Sequence, residues 1–379
     1  MRLRTGMHIF TTFLPFWAFV TLFKFGASIH YSIMSVLGAT VLPIWAVGLF
    51  VGAAAFLQMI LDVPAGRALD RYGFLRLLKI GTAIFLCAAA ALFFFGFTIW
   101  TFIATLFLSS LGWLFFTPGV NAYVLTHASS NESGRFMSIK DVSSSTGVVL
   151  GSAVLALVLL LPTTGMGAVI FCLLLLALIA LQMSPPDKGA GKPRKKIETH
   201  HYFIRRQSFR KVFSVFSELN PAALMLALHN FSGAVFYGVV WFVVPIVIAQ
   251  ETVSAGVMNV GLGVFDFAVV VLGYAIGTLV DRGDKRFFVF LGLLLFSIAA
   301  AFTGASFGWM FILFGFIATA GDEMSGLSLW SWLHALDREH AHDGLVAGMI
   351  TLAEDFGWAI GPVIAGVLMW VVGPTLTIC

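Results

Sequence analysis

Lys24, Asp266, Asp322, Glu323, Glu354 and Asp355 each stand inside a long run of apolar residues, and Lys140 and Asp141 lie near the start of another. Placing one such charge in a hydrocarbon layer costs about 2.5–3.5 kcal/mol on insertion scales, so charges at that depth mark pathways more often than packing. Beyond residue 220 the interiors of the runs hold five acids and no lysine or arginine. Fully ionised and unpartnered, those five would cost roughly 15 kcal/mol on the same scales. Burial and like-charged neighbours favour the neutral form of a carboxyl, so some of the five are expected to be protonated or paired. A carboxyl held in that balance loads and releases protons. The same residues also suit two other tasks, binding a cationic solute or bridging two bundles through Lys24. Neighbours on a helix point about 100° apart, so Asp322 and Glu323 cannot both face one cavity squarely, nor can Glu354 and Asp355.

A second pattern occurs twice. Gly66-Arg-Ala-Leu-Asp70-Arg71-Tyr-Gly73, followed by Arg76 and Lys79, returns 211 residues later as Gly277-Thr-Leu-Val-Asp281-Arg282-Gly283-Asp284-Lys285-Arg286. Each reads Gly-x-x-x-Asp-Arg, then glycine, then basic residues, in a short gap between apolar runs. Glycines there permit a tight turn and close helix approach.

The elements that must position these residues follow from composition. The 379 residues are 59% hydrophobic and 11% charged, with a mean hydropathy of +0.97. No soluble domain of this size hides so much apolar surface, so an all-α integral membrane protein is expected. A helical span needs roughly 20 mostly apolar residues. Eleven runs qualify, at 8–36, 43–65, 77–96, 98–126, 136–161, 165–184, 221–249, 254–280, 286–304, 306–335 and 344–372. The first is too long for a signal-peptide core and is read as a retained helix. Cys87, Cys172 and Cys379 form no metal spacing and no disulfide framework. No nucleophile–base pair, metal-ligand cluster or phosphate-cradling loop occurs, so neither an enzyme nor a cofactor protein is expected. The Gly-Leu-Gly run at 261–263 is a helix-packing feature, since no strand precedes it.

Of the 22 Lys and Arg, all but Lys24 and Lys140 fall in the N-terminal tail or in alternate gaps, nine of them between Asp187 and Lys211. The other gaps carry none. That asymmetry predicts a cytoplasmic N-terminus in the cell (inner) membrane. It also accounts for the net charge of +4 and the pI of about 9.0 without a nucleic-acid partner.

The repeat extends beyond the two motifs. Gly134 maps onto Gly344, and Gly147-x-x-x-Gly151 onto Gly357-x-x-x-Gly361, at an offset of 210. Two related bundles are therefore expected, residues 1–184 with six helices and 221–379 with five. Between them, 185–220 is a cytoplasmic linker, broken by Pro185, Pro186, Gly189, Gly191 and Pro193. Within it Phe209, Val212, Phe213 and Phe216 take the spacing of an amphipathic surface helix, with a solvated linker as the alternative. The same offset would carry a twelfth span to 375–394, past Cys379. A shortened reading frame is one expectation and an eleven-helix protein the other.

The paired Gly-x-x-x-Asp-Arg stretches, with this repeat, resemble the major facilitator superfamily of secondary transporters. Gly357-Trp-Ala-Ile-Gly361-Pro362-Val-Ile-Ala-Gly366 is similar to the Gly-Pro-rich helix of drug/proton antiporters in that superfamily. There it belongs to the fifth helix rather than the eleventh, and Ser109-Ser-Leu-Gly112 stands where many of them place an arginine. Close small-residue packing is the expected use of Gly357 to Gly366.

The resemblance implies two parallel bundles rocking about a midplane site. It implies that Asp70 faces the start of the eleventh span near Asp343 to Leu345, and Asp281 the start of the fifth near Gly134 to Phe136. A helix start stabilises a carboxylate by about 0.3–1 kcal/mol. Gly66, Asp70, Arg71, Gly73, Arg76, Gly277, Asp281, Arg282, Lys285 and Arg286 then form a gate that shuts the cytoplasmic side. Spans 1, 4, 7 and 10 line the cavity, which makes Lys24, Asp322 and Glu323 the best-placed charges. Asp266, Glu354 and Asp355 join them as proton or substrate sites, and Asn121, His229 and Asn230 offer hydrogen bonds to a solute. Lys140 is expected to snorkel, His30 and Tyr31 to be interfacial, and Trp113, Trp330 and Trp332 to pack or anchor. The expected function is proton-coupled efflux of a small organic compound by a monomer in the bilayer. Proton- or sodium-coupled uptake of a polar nutrient such as a sugar, and a transport-inactive truncated protein, are the alternatives.

Overall fold

In hydrocarbon every backbone N–H and C=O must bond within its own segment, so apolar runs of this length become helices. A computed structural model describes residues 11–127, 133–186, 221–250, 255–304, 309–336 and 344–372. Twelve helices cross that span of sequence. They are α1 (Leu14–Val41), α2 (Ile44–Tyr72), α3 (Phe74–Phe95), α4 (Ile99–Trp113), α5 (Phe116–His127), α6 (Ser133–Leu159), α7 (Thr163–Gln182), α8 (Pro221–Gln250), α9 (Ala255–Arg282), α10 (Lys285–Gly304), α11 (Trp309–Leu336) and α12 (Gly344–Val372). Ten segments are long and apolar enough to cross a membrane, and α9 adds a shorter one, Phe265–Val280.

The eleven expected runs all lie on these helices, with two differences. The fourth run is broken at Leu114 and Phe115 into α4 and α5, which together make one crossing. Its start is fixed by a capping box in which Thr98 Oγ1 accepts from the Thr101 N–H at 3.2 Å and Thr101 Oγ1 from the Thr98 N–H at 2.7 Å. The second difference concerns the repeated motif, which is not a loop. Residues 66–72 continue α2 and residues 277–282 continue α9. Hydropathy marks where a chain leaves the hydrocarbon, whereas a helix continues until its backbone bonding is interrupted. In α2 that happens at Gly73, whose φ of 89° favours glycine.

The packing repeats the offset of 210. Gly147 of α6 lies against the carbonyl of Thr21 in α1, and Gly357 of α12 against the carbonyl of Phe231 in α8. Gly151 meets Phe25 and Ser28, and Gly361 meets Val235 and Gly238. All of these pairs are 210 residues apart. Gly81 of α3 faces Gly112 of α4, and Gly292 of α10 faces Gly321 of α11 in the same way. Small residues are what allow backbones to come this close where lipid supplies no hydrophobic drive between helices.

Helices α1 to α7 join helices α8 to α12 along three seams, α2 with α12, α6 with α9, and α1 with α8. At the first, Gly48 and Gly52 lie under the carbonyls of Pro362 and Ala359, so the run Gly357 to Gly366 packs α12 against both α8 and α2. Phe16, Phe19, Phe23, Phe85 and Phe102 fill the interior of the first bundle, while Phe94, Trp100, Leu160, Phe290 and Trp370 point outward to where lipid belongs. Cys87 and Cys172 are unpaired on that outer surface. The expected amphipathic helix at 209–216 and Cys379 lie outside the described residues.

Candidate functional site

Helices α1, α5, α6, α8, α9, α11 and α12 bring most of the buried charge into one region between the bundles. Lys24 of α1 puts its Nζ 4.4 Å from the ring centroid of Trp113 and 5.7 Å from that of Phe116. A cation over an aromatic face gains about 0.5–2 kcal/mol, more as water is excluded. Asp266, Lys140, Glu354 and Asp141 are all within electrostatic reach of this ammonium. Among the described residues the ion pairs are Lys140–Asp141 at 2.6 Å and His229–Asp322 at 3.3 Å, so Lys24 is held by its aromatic bed rather than by a bonded carboxylate.

On the opposite side, Asp322 of α11 is gripped by α8. His229 Nε2 lies 3.3 Å from one carboxylate oxygen, and the Tyr237 hydroxyl donates to the other at 3.1 Å. Its neighbour Glu323 lies beside Gly273 of α9 and within electrostatic reach of Asp141, Asp322, Lys140 and Asp266. Glu354 and Asp355 diverge in the same manner. Glu354 faces Lys24, Lys140 and Asp322, whereas Asp355 faces α2. Adjacent carboxyls pointing apart is what the helical 100° step requires. Asp266 bridges the α6–α9 seam by accepting from the Ser145 hydroxyl at 2.9 Å.

Lys140 bonds Asp141 at 2.6 Å and the Asn121 side-chain oxygen at 3.2 Å. Two expectations are corrected here. His30 is fully buried against Phe85 and not interfacial, since α1 continues to Val41, beyond the end of its expected run, and residue 30 lies well inside the helix. Gly277 is no close-approach glycine, as the nearest side-chain atom to a Cβ there is Leu327 Cδ1 at 4.0 Å. Its run of residues is helical and half-exposed, so nothing presses on it.

The motif residues divide in two. The surroundings of Gly66, Asp70, Asp281 and Arg282 lie outside those described, as do those of Gly134 and Asp343 to Leu345, the helix starts they were expected to face. Arg71 lies over Tyr72, Arg76 is exposed, Lys285 donates to the Ser331 carbonyl at 3.1 Å and Arg286 lies over Trp332. Lys285 and Arg286 thus tie α10 to the end of α11 within one bundle. Asn230 is half-buried on α8, and Trp330 is exposed. Two residues that sequence reasoning missed are Asp62 and Gln58 of α2. Asp62 falls near the end of its apolar run, two residues before Pro64, where a carboxylate reads as interfacial.

This helical arrangement has known counterparts. The Major Facilitator Superfamily pattern matches residues 7–362, nearly the whole chain. The chain belongs to the major facilitator superfamily. Among solved structures, the human organic anion transporter MFSD10 (TETRAN) superposes with a TM-score of 0.72 at 14% identity, covering 97% of this chain and 95% of that one. A bacterial homologue of the human lysosomal transporter Spinster, inward-facing and unoccupied, gives 0.68 at 14% identity over 94% and 82%. A D-xylose–proton symporter gives 0.61 at 16% over 96% and 89%. At these identities the likeness is one of fold. A search of curated protein sequences finds no match. As a member of this superfamily the chain is a multi-pass membrane transporter.

Proposed function

We propose that this transporter exports a small amphipathic organic compound in exchange for protons, by rocking of residues 1–184 against residues 221–379. One observation carries the reading. Among the described residues, five carboxyls, Asp141, Asp266, Asp322, Glu323 and Glu354, share a region with two amines, Lys24 and Lys140, and Lys140 is already paired with Asp141. Full ionisation would leave unbalanced negative charge away from water, which is prohibitive without compensation. Protons are the simplest compensation, and a solute that displaces them couples its own movement to theirs. In this reading Glu323 and Asp322 carry protons, Lys24 and Trp113 meet the solute, and His229 and Tyr237 hold Asp322 in position. Asn121 and Asn230 supply further hydrogen bonds.

The basic gaps favour a cytoplasmic N-terminus in the cell membrane. On that orientation the Gly-x-x-x-Asp-Arg segments lie at the cytoplasmic end, and Asp70 and Asp281 close it by resting on opposing helix starts. Asp70→Asn is expected to lower transport at least several-fold while membrane insertion is unchanged. Transport assayed at matched expression checks this, and normal turnover removes Asp70 from the gate.

Everted membrane vesicles with an imposed pH gradient test the whole proposal. Lipophilic cations, neutral drugs and simple sugars are added in turn. Collapse of an acid-inside gradient by drug-like compounds supports proton-coupled export, and a gradient that sugars deepen while drug-like compounds leave it unchanged replaces it with nutrient uptake. The resemblance in fold to sugar–proton symporters is what keeps that second reading in play.

A further inference from the structure

One buried pair takes no part in the cluster above. Asp62 of α2 and Asp355 of α12 come from opposite bundles, and their carboxyls lie within hydrogen-bonding reach of each other. Gln58, one turn before Asp62, donates its amide to Asp355 Oδ1 at 3.3 Å. Asp355 is 8% exposed and Gln58 9%. The Oδ2 atoms of Asp62 and Asp355 are both closed off from solvent, and among the described residues neither has a donor on it. Ionised carboxylates only accept hydrogen bonds, so two of them cannot bond to each other. A single proton placed between them satisfies both orphaned oxygens and removes the repulsion of two like charges.

Among the described residues the surroundings supply no other remedy. Glu354 adds negative charge to both carboxyls, and Tyr31 of α1 is within reach of Asp355. Among the described residues, Lys79 of α3 is bonded to Gln182, Arg76 is exposed, and His229 of α8 belongs to Asp322. On α5, His127 is bonded to the carbonyls of Tyr123 and Pro186. The internal repeat sharpens the contrast. At the offset of 210, Asp355 corresponds to Ser145, which bridges the α6–α9 seam to Asp266 with a hydroxyl. A hydroxyl brings its own proton to such a bridge, whereas a carboxylate must bind one.

We propose that Asp62 and Asp355 hold one proton between them and that this shared proton latches α2 to α12. Binding converts one carboxylate to a carboxylic acid that donates to the other. Release returns two carboxylates face to face and drives the seam apart near the first Gly-x-x-x-Asp-Arg segment. The Ser145–Asp266 bridge of the α6–α9 seam places no second carboxylate against the first, so it persists whether Asp266 is ionised or protonated, a hydroxyl being able to donate or accept. The latch deepens the proton-coupled reading and rests on it for a purpose, yet its test needs no substrate.

Spin labels at Tyr72→Cys and Phe287→Cys, both exposed positions on opposite bundles, report the opening. Cys87, Cys172 and Cys379 are first replaced by Ser, and the full chain is held in lipid nanodiscs. Between about pH 5 and about pH 9, a range that spans titration of perturbed carboxyls, the distance is expected to lengthen by several ångströms. Asp62→Asn, and separately Asp355→Asn, put an amide donor in place of the titrating proton. Each is expected to keep the short distance at the alkaline end, so either variant decides if the other fails to fold. A distance indifferent to pH in the parent chain, or an unchanged response in the variants, overturns the latch. Asp322→Asn with Glu323→Gln is expected to keep the response even where substrate-driven proton flux is lost. Loss of the response there as well would assign it to the central cluster and also overturn the proposal.

Discussion

Replacing Asp322 with Asn and Glu323 with Gln together is expected to reduce substrate-driven proton flux to the leak of protein-free vesicles. The two side chains act on different partners, so neither substitutes for the other. Asp322 is held by His229 at 3.3 Å and by the Tyr237 hydroxyl at 3.1 Å, which makes it the fixed member. Glu323 lies within electrostatic reach of Asp141 and Lys140, across the seam between bundles, and is the member whose surroundings change when they rock. Removing both cuts the excess of carboxyls over amines in the region from three to one, and takes away the two carboxyls assigned here to carry protons. Proton flux in reconstituted vesicles, with the amount of inserted protein matched, reads the outcome. A flux that persists undiminished would take the pair out of the mechanism.

Gly357→Leu is expected to prevent assembly of the fold altogether. A Cβ there would sit 2.5 Å from the Phe231 carbonyl oxygen, 2.7 Å from Ala234 Cβ and 3.0 Å from the Val235 nitrogen. Two of those atoms are backbone and cannot swing aside. Overpacking a tight core costs about 1–3 kcal/mol and sometimes more, and here the strain spreads. Four residues on, Gly361 rests on Gly238, and Pro362 rests on Gly48, so moving α12 off α8 also disturbs its contact with α2. Gly277→Ala is the matching control, because the nearest side-chain atom is 4.0 Å from its Cβ. Size-exclusion profiles in mild detergent should show aggregation for the first and an unchanged peak for the second. A sharp peak for Gly357→Leu would mean that α8 and α12 are not packed as described.

Much of this was legible in the sequence because a bilayer narrows the choices. An apolar run of sufficient length has little option but to be a helix, so the eleven runs were found. The spacing of Gly147 and Gly151, repeated at Gly357 and Gly361, already held the two-bundle repeat and the close α1–α6 and α8–α12 packing. The divergence of Glu354 from Asp355 also followed from helical geometry alone. Other features depended on contacts between residues far apart in sequence. Asp62 gains its interest only from Asp355, 293 positions away, and nothing local to α2 announces that partner. The bond from Lys140 to Asn121, 19 positions away, is likewise visible only in the fold. Hydropathy also misplaced the end of α2, since it registers the edge of the hydrocarbon and not the last hydrogen-bonded turn.

The central claim is that carboxyls between the bundles move protons against an organic solute. The most direct test uses purified protein in liposomes of equal internal and external pH, with a pH-sensitive dye trapped inside. A pulse of an organic compound that collapses the gradient in everted vesicles is added outside. Exchange predicts that protons leave as the compound enters, so the interior turns alkaline in the parent chain and stays unchanged in the Asp322→Asn/Glu323→Gln variant. An interior that turns acid would mean that solute and proton travel together, and would contradict the account.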